Sequence, residues 1–261
     1  MWKRIRRILM ILLAAVFAFC AISVGLIQLE YRKNRKVYRE ASEIYTVVST
    51  AAPQIREEEP LETAPKKVDF RELLAVNPDI VGWLYCEDTI IDYPVAQGTD
   101  NDLYLTTGYD LKFNGSGCLF VDAYNQRDFR DPNSIIYGHH MANGSMFATL
   151  EKWQFQDYFD EHPTMWLLTP TQDYKVELFS AYNISAYDGA YYIFHDFGMG
   201  FTASINLAIS RSMVQSGVDC QPEDHYIMLS TCAYFFEDAR SVLHGRLVPV
   251  DSAGGEPIRR G

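Results

Sequence analysis

Three hydrophobic patterns succeed one another along the chain. Residues 8–27, "ILMILLAAVFAFCAISVGLI", are an uncharged run of twenty. At 1.5 Å per residue such a run covers about 30 Å, one hydrocarbon layer. Beyond it, "QLEYRKNRKVYREASEIYTVVST" is polar with scattered apolar positions and predicts a helix that continues from the run. The stretch 51–67, "AAPQIREEEPLETAPKK", has no period. Its three prolines and four glutamates predict a solvated linker.

From residue 68 the period changes again. "DFRELLAVNPDIVGWLY" opens with a short amphipathic helix. Asp69 is its expected cap, Leu73, Leu74 and Val76 its apolar face, and Pro78 its stop. Eight short strand-like runs follow: "IVGWLYC", "TIIDYPVAQ", "GCLFVDA", "NSIIYGHH", "TMWLLTP", "YKVELFSAYNIS", "HYIMLSTC" and "SVLHGRLVPV". Polar, Gly, Pro and Asn turns separate them, so the pattern predicts a mainly β, α+β fold built on an eight-stranded barrel. Two helices interrupt the strands. "SMFATLEKWQFQDYFDEHP" places Phe147, Leu150 and Trp153 on one face. "FTASINLAISRSMVQSG" is expected to be helical up to Gly217, between "ELFSAYNIS" and "HYIMLSTC".

Charge sharpens two points. Of 261 residues, 48% are hydrophobic and 22% charged, and the formal net charge is −11. That acidic balance argues against a nucleic-acid partner, which needs a basic footprint. The apolar run is flanked by Lys3, Arg4, Arg6 and Arg7 on one side and by Arg32, Lys33, Arg35 and Lys36 on the other. A cleaved signal peptide has a shorter apolar stretch, so an uncleaved anchor is expected. Bulky Phe19 before Cys20 argues against a lipidated cysteine. The expected organisation is a basic tail (1–7), a transmembrane anchor (8–29), a juxtamembrane helix and linker (30–67), a folded domain (68–250) and a tail (251–261). Both flanks are basic, so charge leaves the orientation open.

The candidate chemistry lies in a few residues. Five cysteines stand at 20, 86, 118, 220 and 232, without CxxC or dense His/Cys spacing, so neither zinc nor a disulfide framework is expected. Pairing of Cys86 with Cys118, or Cys220 with Cys232, stays open. A lone cysteine is ordinarily a buried thiol. Cys232, however, ends the run "YIMLSTC", and Arg240 starts the next run. A thiolate beside a cation or histidine is a nucleophile. Of six histidines, His139 and His140 directly follow "SIIYG", where a strand presents side chains at its end. On an unbroken last strand Arg240, Val242, His244 and Arg246 share a face, which makes His244 a rival for the base and leaves Arg246 as a solvated strand residue.

These residues resemble a family. "LSTC" followed by an arginine at the start of the next strand, with "YGH" upstream, is similar to the sortases. "LLAVNPDIVGWLY", "YPVAQGTDNDLYL", "IIYGHHMANGSMFATL" and the helical insert over 182–217 resemble class B sortases in particular, over about 69–248. The resemblance implies a sortase-type barrel outside the membrane of a Gram-positive-type cell, with Cys232 as nucleophile, His139 as general acid and base, and Arg240 as the carbonyl or oxyanion partner. His139 is preferred to His140 because it matches the family's Gly-His. The resemblance further suggests Asn101, Leu105, Tyr192, Ile193 and Ser230 for substrate binding; each also has a plain reading as a packing or hydrogen-bonding residue. Relatives often carry a carboxylate soon after the cysteine, whereas "AYFF" follows Cys232 here, and Glu237 and Asp238 read equally as solvated loop charges.

The implied activity is cysteine transpeptidation without a cofactor or metal. A surface protein bearing a sorting signal is cleaved after Thr, held as a thioester, and passed to a cell-wall amine of a peptidoglycan precursor. Two other readings stand beside it: a pilin polymerase that uses a lysine amine, and a non-catalytic surface binding domain in which Cys232 is structural. A plain cysteine protease, with water in place of the amine, is a milder variant.

Overall fold

The computed structural model describes residues 2–48 and 63–250. The expected tail 251–261, and the linker up to residue 62, lie outside them. The chain divides into two compact units at Glu40/Ala41. The first is the body of helix α1, Trp2–Tyr45, whose apolar window is unburied and long enough to cross a membrane by length and composition. The last turn of α1 belongs to the second unit.

In that second unit, β1 (Thr46–Val48) pairs antiparallel with β2 (Lys66–Val68). This small sheet revises the end of the expected linker. Lys66 is buried and its Nζ lies 2.7 Å from Asp92 Oδ2, while Asp92 Oδ1 accepts the Trp83 indole N–H at 2.8 Å. A buried ammonium needs such a partner, so the pairing holds the segment. Helix α2, Phe70–Val76, starts where Asp69 accepts from the Glu72 amide, as expected. It stops before Asn77, extended as residues before proline are. Its buried side chains are Phe70 and Leu73, and Val76 is exposed, so the apolar face is rotated from the expected one.

The eight runs become β3 (Ile80–Tyr85), β4 (Asp92–Ala96), β5 (Leu119–Val121), β6 (Asn133–Tyr137), β7 (Thr164–Leu168), β8 (Asp173–Ser185), β9 (Tyr226–Cys232) and β10 (Ala239–Val250). They close a barrel in the order β10-β8-β7-β3-β4-β5-β6-β9. Pairs β4/β5 and β6/β9 are parallel and the others antiparallel. Helix α3 (Leu103–Thr106) precedes β5 as a single turn.

The helix expected over 145–163 is broken. Met146 adopts φ 56°, and a 3₁₀ turn, Leu150–Gln154, and a short helix α4, Gln156–Glu161, replace one continuous helix. Helix α5, Met199–Arg211, stops six residues short of Gly217. There the Met213 amide turns back to the Ala181 carbonyl of β8, at 2.8 Å.

Two apolar layers follow from strand alternation. Ile136, Ile227, Leu229 and Leu243 are fully or nearly fully buried in the barrel interior. Ile135, Tyr226, Met228 and Val242 face outward and pack with Tyr182, Phe201, Ile205 and Ala208 under α5. Covering each such large side chain stabilises by about 1.5–3 kcal/mol. The insert between β8 and β9 therefore roofs the β6/β9 seam. No described cysteine is paired, so neither candidate disulfide forms.

Candidate active site

Strand register pairs two of the candidate residues and brings the third in just past the end of β6. Arg240 of β10 is the direct antiparallel partner of Cys232 at the end of β9. Directly opposed residues project to the same face with Cβ atoms about 4.5–5.5 Å apart. On the other flank β6 runs parallel to β9, with Tyr137 level with Ser230. The Gly138 amide extends that ladder to the Ser230 carbonyl, at 3.1 Å. Two residues past Tyr137, His139 therefore comes level with Cys232. Thiol and guanidinium stand on neighbouring strands at the barrel rim, and the imidazole follows two residues past the end of β6, the strand on the other flank of β9.

Local sequence explains the placement. A Cβ at Gly138 would lie 2.5 Å from Leu119 Cδ2 and 2.6 Å from Phe147 Cδ2. The inward position before His139 has room for glycine alone, which is the physical content of "YGH". The His139 ring Nε2 lies 2.7 Å from the Leu105 carbonyl oxygen. A carbonyl only accepts, so Nε2 carries the proton and Nδ1 is left to take one. Leu105 ends its bonding at a one-turn helix, whose last carbonyls lack intrahelical partners. No carboxylate bonds His139 among the described residues; a main-chain oxygen orients it instead.

His140 is otherwise employed: its Nε2 lies 3.3 Å from Glu151 Oε1, and its ring meets Tyr234 edge-on at 5.2 Å. His244 is fully buried and stacked on Tyr182, with Nε2 3.0 Å from the phenol oxygen. Burial pushes its pKa down to about 3. It sits four residues along β10 from Arg240 and below the rim, which removes it as a rival base. Arg246 is not a free solvated residue. It donates to Glu177 Oε2 at 2.6 Å and to the Asp219 carbonyl at 2.7 Å.

The residues suggested for substrate binding take diverse positions. Leu105 is partly exposed beside His139, and Tyr192 is exposed against Phe194, with ring centroids 4.7 Å apart. Ile193 is half-buried against the cluster under α5. Ser230 is buried, and its hydroxyl lies 2.7 Å from that of Tyr191. The Asn101 amide spans Asp122: its Nδ2 donates to Asp122 Oδ2 at 3.0 Å and its Oδ1 accepts from the Ala123 amide at 2.8 Å.

Two tyrosines were not singled out by sequence. The Tyr137 hydroxyl donates to Asp122 Oδ2 at 2.9 Å, and the Tyr137 ring stacks with Tyr191 at 6.2 Å and 17°. Burial raises the Tyr191 phenol to about 12, against the bond to Ser230 and the pull of Arg240, with Cys232 adding to the rise. Tyr191 thus lies within electrostatic reach of both. The "YGH" motif contained the signal for Tyr137; nothing local marks Tyr191.

The arrangement suits acyl transfer: a half-exposed thiol, a histidine of defined tautomer, and a guanidinium that donates to its own neighbour's carbonyl, Ala239, at 2.9 Å. No protein-family model matches the chain. Sortase B of Listeria monocytogenes is 33% identical over 247 residues, covering 92% of this chain and 95% of that protein. Among solved structures, sortase B from Bacillus anthracis in complex with AAEK1 superposes with a TM-score of 0.69 at 32% identity, covering 85% of this chain and 99% of that one. A Staphylococcus aureus sortase B–substrate complex superposes with a TM-score of 0.66 at 28% identity, covering 70% and 85%.

Proposed function

The chain belongs to the class B sortases, which are cysteine transpeptidases, and from that premise we propose that Cys232, His139 and Arg240 carry its reaction at the rim of β6, β9 and β10. The Cys232 thiolate attacks the carbonyl after Thr in a sorting signal. The C–S bond forms as the C–N bond breaks, and His139 gives the leaving amine its proton. Arg240 holds the negative charge on the tetrahedral oxygen, where preorganised donors act most strongly. An incoming cell-wall amine then attacks the thioester, gives its proton to His139 and releases the thiolate. Leu105, Tyr192 and Ile193 offer apolar surface to the signal, with Asn101 and Ser230 as the polar contacts beside them. Helix α1 anchors the enzyme in the membrane with its N-terminus inside and the barrel outside. No cofactor or metal takes part.

The observation that supports this reading is the pairing of an unbridged thiol, Cys232, with Arg240 across β9 and β10, with His139 two residues past the end of β6 on the other flank of β9. The test is transfer of a peptide library onto a glycine amine and, separately, a lysine side chain. Cys232→Ala should abolish both cleavage and transfer. Cleavage by that variant at the wild-type rate would sink the mechanism, and faster transfer to lysine would mark a pilin polymerase.

A further inference from the structure

The segment between β8 and α5 crosses the outer face of the β6/β9 seam from rim to foot. At the rim, Tyr191 lies over the rung formed by Tyr137 and Ser230, stacked on the first and bonded to the second. At the foot, the His195 Nδ1–H donates to Asp131 Oδ1 at 3.0 Å. Asp131 is fully buried just before β6, although the His195 side chain is 56% exposed. The other oxygen of Asp131 accepts from Asn125 Nδ2 and the Gln126 amide, both at 2.7 Å. Its own carbonyl lies 3.0 Å from His225 Nδ1, next to the start of β9. The foot is therefore a built polar socket that a loop side chain completes.

The span is long for the segment that crosses it. The lower pin is Asp131, two residues before Asn133, and Asn133 to Tyr137 alone is roughly 13 Å of strand. Tyr191 to His195 is only four residues, so the segment between them is drawn toward full extension, and Tyr192 is in extended geometry at φ −68°, ψ 129°. Little slack remains. The residues stretched between the two pins are Tyr192, Ile193 and Phe194, two of which are the proposed substrate contacts.

We propose that this segment is a taut strap, and that His195, latched to Asp131, is a positioning residue that sets where Tyr192 and Ile193 meet the sorting signal. The inference rests on the proposed contact between those residues and substrate. The latch acts on peptide binding and leaves the Cys232 rung untouched, since the socket lies at the opposite end of β6 and β9.

Cleavage of a fluorogenic sorting peptide by the full-length enzyme tests it with four variants. His195→Ala should raise KM about tenfold, the equivalent of one charge-assisted hydrogen bond. The kcat and the rate of thiol labelling at Cys232 should hold. His195→Asn, which can still donate to Asp131, should recover most of the affinity. A glycine inserted after Tyr192, with His195 kept, should raise KM as well by adding slack. Tyr192→Ala reports on the underlying contact. If Tyr192→Ala raises KM and His195→Ala does not, the strap is overturned and the contact survives. If Tyr192→Ala leaves KM unchanged, the contact itself is wrong. A fall in kcat and thiol labelling on His195→Ala would also overturn the proposal, because the effect would then be on the whole barrel.

Discussion

Strand β10 carries two arginines on the same face, six residues apart, and they lead different lives. Arg246, at the foot, is ion-paired to Glu177 and Asp224 and also donates to the Asp219 carbonyl. Arg240, at the rim, sits opposite Cys232 and has no carboxylate partner among the described residues. A guanidinium already neutralised by carboxylates gains little from a transient anion. One that faces a thiol without a resident anion can bind the charge that develops on a substrate oxygen. The difference between the two lies in their neighbours.

The comparison breaks first at Arg240. Arg240→Ala should cut kcat about 10²–10³-fold, the usual cost of one oxyanion donor, with little change in melting temperature. Arg240→Lys should recover part of the rate, since a point charge replaces a planar fork. Equal melting losses at both arginines, with no specific loss of rate at Arg240, would erase the distinction.

The mirror experiment is Arg246→Ala. It leaves Glu177 and Asp224 without their cation in a partly buried place. Urea unfolding should show a loss of about 1–3 kcal/mol, and kcat per folded molecule should stay within twofold of wild type, a margin of about 0.4 kcal/mol. A large fall in kcat would mean that the foot of the strand communicates with the rim.

Much of this difference was legible in advance, though unevenly. The eight strands were readable because alternation and turn residues mark each one locally, and the barrel follows from their number. Cys232, His139 and Arg240 stood out as candidates because each sits at or just past a strand end, where a motif survives as contiguous letters. The partners that give them their character did not. The atom that orients His139 is a main-chain oxygen of Leu105, which no side-chain pattern announces. Tyr191 and Ser230 are 39 residues apart, and Arg246 and Glu177 are 69 apart. Lys66 looked like linker charge because its burial depends on Asp92, a residue on another strand. The break at Met146 is likewise a tertiary effect: its amide is taken by the Tyr93 hydroxyl at 3.1 Å.

A third prediction uses the histidine between the two arginines. His244 is buried and its folded pKa is depressed to about 3, below its unfolded value. The unfolded chain therefore binds a proton that the folded chain refuses. Stability is unaffected by this group above about pH 6.5 and falls by about 1.4 kcal/mol per unit at most as pH drops from there toward 3. His244→Gln, which can still bond to the Tyr182 hydroxyl, should remove that part of the acid slope in urea unfolding between pH 7 and pH 5. Retention of the full slope would show that His244 becomes charged in place, and the stretch between the arginines would then be wetter than its burial implies.

The smallest expected effect concerns the loop that joins Cys232 to Arg240. Glu237 and Asp238 are its carboxylates and both are exposed. If Arg240 is truly without an anionic partner, neutralising them should do almost nothing. The chosen pair is Glu237→Gln with Asp238→Asn. Asp238 has φ 55°, and its carbonyl accepts the Ala186 amide at 2.8 Å. Asparagine tolerates that left-handed geometry, so the substitution removes charge without moving the turn. Melting temperature and kcat/KM should stay within what exposed substitutions ordinarily cost, about 0.5 kcal/mol. A rate increase of tenfold or more would instead reveal a carboxylate that competes with the substrate oxygen for Arg240. The contrast with Arg246 would then be one of degree, with the rim arginine held in reserve by a weak partner that the substrate must displace.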